Sequence, residues 1–569
     1  MIRLFNQHRI RSTNELSGLW QFNKAADSQI YQLAVPGCWE QNPDLATFRG
    51  QGWYQRVIEV PRDHANLRLV FQGVSHTADV YFDHKFYTHH YNAYTPFSVV
   101  IPNVTAGTHI IRVRVDNRFG PQSALHKPND YYSYGGLTRA VSVEYVADAF
   151  IETIHFASHM AARGWIGEMT ATVRNISSMP QTVTLGVSVA SEHKDWSAQV
   201  IAGQSVTKLT WTAPFTAVTA WTPDQPQLYQ VCAQLQIDGA IVDDLIERVG
   251  FRQVQISGQR IQLNGRAIFL QGFNRHEDSV TYGCALPFQQ LVQDLDLMTD
   301  LGANAVRTAH YPNDQLFLDL CDERGLLVWE EAHARGLTAE QMQNSNFDQQ
   351  CADSNQEMIT AHFNHPSIIV WGILNECASD TQIGRAKYQL QYQQIRQLDA
   401  TRPLTSATCQ HFKDICLDLP DVVSDNLYTG WYEDGDVGVA SAREQNWLQT
   451  TPAASKPLII SEFGAGAIYG YRNPTRCKWS EERQADILGD CLDVYLNDAR
   501  LSGAFIWQFC DCRVTEEQWF AVRPRAYNNK GVVDEYRRPK LAYETVRAKL
   551  CAHRDELEHN CFLPSNSQN

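Results

Sequence analysis

From about residue 251 onward the chain alternates short apolar runs with amphipathic helical stretches. Eight such runs begin at Ile268, Ala303, Leu326, Ile368, Leu404, Val422, Leu458 and Gly503. Apolar runs separated by helical patterns pack as parallel strands covered by helices, and eight of them predict a (β/α)8 barrel over residues 251–569. Leu291, Leu295 and Met298 share one face of the helix expected after the first strand. A last helical pattern around Leu541 to Leu550 closes the ring.

The rhythm before that point is different. Residues 1–148 alternate apolar and polar positions between frequent turns, as in Leu67-Arg68-Leu69-Val70-Phe71 and Ile111-Arg112-Val113-Arg114-Val115. Period-2 patterning at short spacing predicts a β-sandwich. Residues 149–250 repeat it, in Thr170-Ala171-Thr172-Val173 and Val183-Thr184-Leu185-Gly186-Val187, over a length that suits an immunoglobulin-like sandwich. The expected architecture is therefore multidomain, with two β-sandwiches ahead of the barrel.

A net charge of −15 argues against a nucleic-acid partner, because phosphate binding needs a basic surface. It leaves room for a small anionic ligand held by a few local cations. No run approaches 18 apolar residues, so no membrane span is expected, and Met1 to His8 lack the apolar core of a signal peptide. The 14 cysteines are scattered singly, and Cys510 and Cys512 have no partner pair for zinc, which suits reduced thiols in a cytoplasmic protein. The 14 tryptophans and 23 tyrosines suit sugar-binding surfaces and ordinary cores alike.

Two of the barrel runs end in glutamate: Trp371-Gly372-Ile373-Leu374-Asn375-Glu376 and Leu458-Ile459-Ile460-Ser461-Glu462-Phe463-Gly464. Barrel enzymes keep their chemistry at the C-terminal ends of the strands. Two carboxylates facing each other there suffice to cleave a glycosidic bond, one as acid and one as nucleophile. Asn375, beside Glu376, is placed to hydrogen-bond a sugar 2-hydroxyl. A single strand-end glutamate could equally cap the next helix; the pair in these contexts points to catalysis.

The chain resembles glycoside hydrolase family 2 from near residue 10 to about residue 550. The motifs carrying the resemblance are Gly52-Trp53-Tyr54-Gln55-Arg56, Gly272-Phe273-Asn274-Arg275-His276-Glu277-Asp278 and Arg307-Thr308-Ala309-His310-Tyr311-Pro312, followed by Asn375-Glu376 and Ser461-Glu462-Phe463-Gly464. The resemblance implies a jelly-roll-like sugar-binding domain, an immunoglobulin-like domain and a catalytic barrel. It also implies Glu376 as general acid/base and Glu462 as nucleophile of a retaining mechanism. Glu462 must then be ionised when substrate arrives, a state that hydrogen-bond donors and a cationic neighbour would favour.

Asn528-Asn529-Lys530-Gly531 resembles the Asn-x-Lys motif with which the family's β-glucuronidases grip the substrate carboxylate. A partly desolvated lysine gains a charge-assisted hydrogen bond from a uronate and is left unpaired by a neutral hexose. The same four residues also make an ordinary turn. Asp130 resembles the aspartate that a sandwich loop lends to the sugar hydroxyls, and Tyr428 and Tyr432 match tyrosines near the nucleophile. Trp507 and His310 match pocket residues, although His310 also suits a core. The family's arginine before Asn-x-Lys has two counterparts here, Arg523 and Arg525, of which Arg525 is taken. Arg335 opens the short segment Ala334 to Phe347 and suits either the sugar C4 region or solvent.

These readings predict a retaining β-glucuronidase acting on small-molecule or oligosaccharide β-glucuronides, without a cofactor or a metal beside Glu376. β-Galacturonidase, β-galactosidase and a non-hydrolytic carbohydrate-binding protein are the alternatives. Resemblance also implies a homo-oligomer, a dimer or tetramer.

Overall fold

The computed structural model describes residues 1–515, 517, 520 and 522–561. The first sandwich sets a six-stranded antiparallel sheet, centred on Gln51–Val60 and Gly107–Asp116, against a four-stranded sheet in which Val141–Val146 lies between Ser12–Glu15 and Ala65–Phe71. Alternation along Gly107–Asp116 puts Ile111, Val113 and Val115 inside, and the intervening residues face outward. The second sandwich packs a three-stranded sheet around Trp165–Asn175 against a four-stranded sheet containing Gln181–Val189.

The remainder closes into a parallel barrel of eight strands. They are β1 (Leu270–Arg275), β2 (Ala305–Thr308), β3 (Leu327–Glu331), β4 (Ile368–Gly372), β5 (Leu404–Thr408), β6 (Val422–Asn426), β7 (Leu458–Phe463) and β8 (Leu501–Ile506). Every expected strand is present, each beginning within two residues of its predicted start. The covering helices are α1 (Phe288–Asp300), α2 (Gln315–Arg324), α3 (Phe347–His362), α4 (Gln382–Leu398), α5 (Val437–Leu448), α6 (Glu481–Tyr495) and α7 (Ala542–Cys561). On α1, Leu291, Leu295 and Met298 are all buried, as their spacing predicts. Asp314 starts α2 by accepting from the Leu316 amide at 2.8 Å, and Gly325 ends it in a left-handed turn at φ 72°.

Two features position the site. A small sheet of Val254–Ser257, Arg260–Leu263 and Arg266–Ala267 precedes β1, and its Ile261 and Leu263 pack with Leu270, Trp329, Ile369 and Phe505 in the barrel interior. Sequence periodicity does not flag it, because its strands are short. At the other end of the barrel, the sandwich loop following Gly107–Asp116 lies across the strand ends. Arg139 of that loop donates to Glu277 at 2.8 Å, and Tyr131 pairs with His333 at 3.1 Å. Among the described residues no helix is long and apolar enough to cross a membrane.

Candidate active site

A cavity of about 550 Å³ opens at the C-terminal ends of the barrel strands, between them and the sandwich loop. Glu376 and Glu462 both face into it. Glu462 lies within β7, whereas Glu376 stands four residues beyond the end of β4, the strand it was expected to terminate. Leu374 and Glu376 hold left-handed backbone, at φ 48° and 51°. Such geometry is costly for side-chain-bearing residues and persists only where surroundings hold it. Here the Asn375 amide donates to the Ala334 carbonyl at 3.0 Å and the Glu376 amide to the Ala407 carbonyl at 2.9 Å, tying the turn to the segment after β3 and to β5.

The two carboxylates have different neighbours. Glu462 accepts from Arg307 at 2.9 Å through one oxygen and from the Tyr428 hydroxyl at 2.8 Å through the other. Glu376 accepts from Arg335 at 3.0 Å and from the Asn426 amide at 2.9 Å. Burial and the nearby Glu376 raise Glu462 to about 7, against the opposing pull of Arg307 and Tyr428. The donors expected from the sequence are present, but desolvation by the closed barrel outweighs them.

Arg307 organises this wall. Its guanidinium, fully buried at the end of β2, also donates to Glu331 at 2.8 Å and to the side-chain oxygens of Asn375 at 2.8 Å and Asn274 at 2.9 Å. Glu331, likewise lifted to about 7 by burial, accepts from or donates to His310 Nδ1 at 2.9 Å. Burial pushes the His310 imidazole far below its ordinary range, so it is neutral, and it stacks on Trp507 with centroids 5.0 Å apart. With the Asn375 oxygen taken by Arg307, its buried amide nitrogen has no partner. That leaves one unsatisfied donor beside Glu376.

A second cluster lies on the same cavity. Lys530 donates to the Tyr432 hydroxyl at 2.8 Å, and Arg523 donates to that same oxygen at 3.0 Å. Burial opposes ionisation of Tyr432, yet Lys530 and Arg523 prevail and hold the phenol below its usual value. Asp130 receives Arg523 at 2.6 Å and the Asn528 amide at 3.0 Å. Asn528 is fixed because Tyr527–Asn528 pairs with Cys512–Arg513. Its own amide oxygen is buried without a partner.

Of the twelve positions singled out in the sequence, Glu376, Glu462, Tyr428, Tyr432 and Trp507 line the cavity, together with Asp130, Lys530 and Arg335. His310, Asn375 and Asn528 sit immediately behind that lining. Arg335 bridges the sandwich loop and the barrel, reaching Asn129 at 3.1 Å as well as Glu376, and is not a solvated surface side chain. Arg525 does not reach the cavity: the left-handed backbone at φ 62° turns it to Glu535 at 2.8 Å and Asn529 at 2.9 Å, and Arg523 takes the inward place. Arg307, Glu331 and Asn426 were not singled out as site residues. Arg307 stands in a quoted motif, and Glu331 ends an apolar run, but their convergence is created by ring closure.

Three domain descriptions match the chain. They are the sugar binding domain of glycosyl hydrolases family 2 over residues 11–146, a further domain of that family over 149–252, and its TIM barrel domain over 254–552. The chain belongs to glycoside hydrolase family 2. It is accordingly a glycoside hydrolase, with the sandwich, sandwich and barrel order expected from its sequence. A family 2 β-galacturonidase from Eisenbergiella tayi bound to galacturonate is 48% identical, covers 97% of this chain and 99% of its own, and superposes with a TM-score of 0.95. A β-glucuronidase from Streptococcus agalactiae is 26% identical over 95% of this chain and 96% of its own length. A Bifidobacterium dentium β-glucuronidase complexed with coumarin-3-O-glucuronide is 25% identical, covers 96% and 98% of the two chains, and has a TM-score of 0.84.

Proposed function

We propose that this family 2 member is a retaining β-uronidase that prefers terminal β-D-galacturonides over β-D-glucuronides. The observation that carries the uronate reading is the convergence of Lys530 and Arg523 on one tyrosine oxygen beside the glutamate pair. Arg523 is paired with Asp130, while the buried Lys530 ammonium donates to the Tyr432 phenol, and a sugar carboxylate would add a short charge-assisted hydrogen bond to these groups. A neutral hexose would leave them as they are. The preference for the galacto epimer is supported by the 48% identity to the E. tayi β-galacturonidase, against 25–26% for the glucuronidases. It is supported as well by Arg335, whose guanidinium stands between Asn129 and Glu376, where it can meet an axial C4 hydroxyl.

In this reading Glu462 attacks the anomeric carbon while Glu376 protonates the leaving oxygen; the glycosyl-enzyme is then hydrolysed with Glu376 as base. Arg307 and the Tyr428 hydroxyl hold Glu462 in one orientation. The unpartnered Asn375 amide donates to the sugar 2-hydroxyl, a contact that strengthens as the anomeric carbon gains positive charge. In the second step Glu376 takes a proton from the attacking water, and Glu462 leaves the anomeric carbon as a carboxylate.

β-Glucuronidase activity is the second reading, favoured by the full-length relationship to the S. agalactiae enzyme. Initial rates on p-nitrophenyl β-D-galacturonide, glucuronide and galactoside at matched concentrations separate the possibilities. A dominant galacturonide rate is expected. A dominant glucuronide rate keeps the carboxylate clamp and removes the role given to Arg335, and a dominant galactoside rate overturns the clamp.

A further inference from the structure

Among the described residues, two clusters outside the glutamate pair bring a histidine and two carboxylates within reach of one ion, and their surroundings differ. In the first, Asp319, Asp322 and His365 lie within reach of one ion. Its acids are already answered by donors. Arg3 donates twice to Asp319, at 3.0 and 2.9 Å, while Asp322 faces His365 at 2.5 Å and receives the Ser367 amide at 3.0 Å. That cluster is a salt-bridge network.

The second joins His411, from the loop after β5, Asp425 of β6 and Glu444 of α5, with one ligand atom from each within 4.8 Å of the others. Asp425 is fully buried, and neither of its carboxylate oxygens has a hydrogen-bond partner. Glu444 is 2% exposed, and its Oε1 is also without one. The imidazole Nε2 lies 3.1 Å from the Asn426 carbonyl, which can only accept, so that nitrogen carries the proton. Nδ1 lies 3.5 Å from Glu444 Oε1 without a hydrogen-bond partner. Burial opposes a charge on the ring, yet Glu444 and Asp425 prevail and raise the imidazole, so a proton and a metal ion compete for the same place. Four atoms able to ligate an ion converge without hydrogen-bond partners, in a place where unpaired polar groups are costly. A histidine oriented through a backbone carbonyl on its other nitrogen is the arrangement in which imidazoles bind metal ions.

We propose that His411, Asp425 and Glu444 form a binding site for a divalent transition-metal ion, zinc or manganese. One imidazole and two carboxylates suit these ions better than magnesium or calcium, which take oxygen ligands alone. The site is separate from the Glu376–Glu462 pair yet linked to it. Asn426, whose carbonyl orients His411, uses its side chain to hold Glu376 at 2.9 Å. A bound ion would tie β6, the loop after β5 and α5 into one rigid wall of the cavity.

The test uses the tag-free full chain, dialysed against a chelator and titrated calorimetrically with zinc and, separately, with manganese, which avoids thiols. Melting curves with and without each ion accompany it. The expected result is one ion per chain for at least one of the two, a dissociation constant in the micromolar range or tighter, and a higher melting temperature with that ion. Asp425→Asn and Glu444→Gln should each weaken binding at least tenfold and abolish the thermal shift. Absence of saturable binding of either ion by the wild-type chain overturns the proposal, whether or not the variants fold. Undiminished binding by either folded variant overturns it as well. An Asp425→Asn chain as stable as the wild type, with no binding by either, would assign the cluster to a proton shared between the two acids.

Discussion

At the inner wall of the cavity, Glu462 is 3% exposed and both of its oxygens are held, by Arg307 and by Tyr428. At the rim, Phe412 is 42% exposed, with the Arg443 guanidinium 4.6 Å from its ring centre and Trp447 on another side. Strands β1, β2, β3, β6 and β7, the turn after β4 and the sandwich loop supply the inner wall; the rim comes from the loop after β5 and the exposed side of α5. The inner wall is pre-organised, so its polar groups can stabilise developing charge without rearranging. The rim offers a ring and a cation without a closed shape, which suits variable leaving groups.

If the inner wall does the chemistry, the largest losses belong to the two glutamates. Glu462→Gln should lower kcat by about 10⁴ to 10⁶, the range seen when a nucleophile is removed. Measured single-turnover rates near wild type would sink the assignment. Glu376→Gln should cost roughly 10² to 10⁴ with poor leaving groups, the usual worth of general acid–base catalysis. The loss should shrink in the first step for p-nitrophenol, which leaves without protonation. Equal losses for good and poor leaving groups would remove Glu376 from the acid role.

The carboxylate clamp comes next. Lys530→Ala should lower kcat/KM on a uronide by roughly 2 to 4 kcal/mol, the scale of a truncated buried charge pair, and leave any galactoside rate unchanged. A uniform loss on both substrates would show that Lys530 only supports the fold. The acidity of the wall is a gentler probe. Glu462 titrates at about 7, raised by burial, and it must be ionised to attack. The kcat/KM profile should therefore fall below about pH 7, by up to tenfold per unit. A profile flat down to pH 5 would contradict the raised value.

The rim should give the smallest effect. Phe412→Ala is expected to raise KM two- to fivefold for aromatic aglycones, about 0.5 to 1 kcal/mol of lost ring contact, with kcat little changed. A large drop in kcat would mean that the rim also positions the sugar.

The two glutamates were legible because each follows an apolar run, and strand ends are where barrels expose functional groups. The inward place of Arg523 was not, since Arg523 and Arg525 flank one proline and only the backbone turn at Arg525 decides which faces the cavity. Arg307 was hidden for a different reason. Its partners Asn274, Glu331, Asn375 and Glu462 come from four different stretches of chain, and no local pattern records that they meet.

What the sequence alone determined is the order of domains, the eight strands and the pair of carboxylates, because periodicity and strand-end position are local properties of the chain. What tertiary structure decided is the state of those groups. Ring closure removes water from Glu462 and Glu331 and lifts both to about 7. It also turns Glu376 inward on a left-handed backbone and brings Asp130 over from another domain. Desolvation and convergence depend on which distant residues exclude solvent together, and that is a property of the packed molecule rather than of any segment.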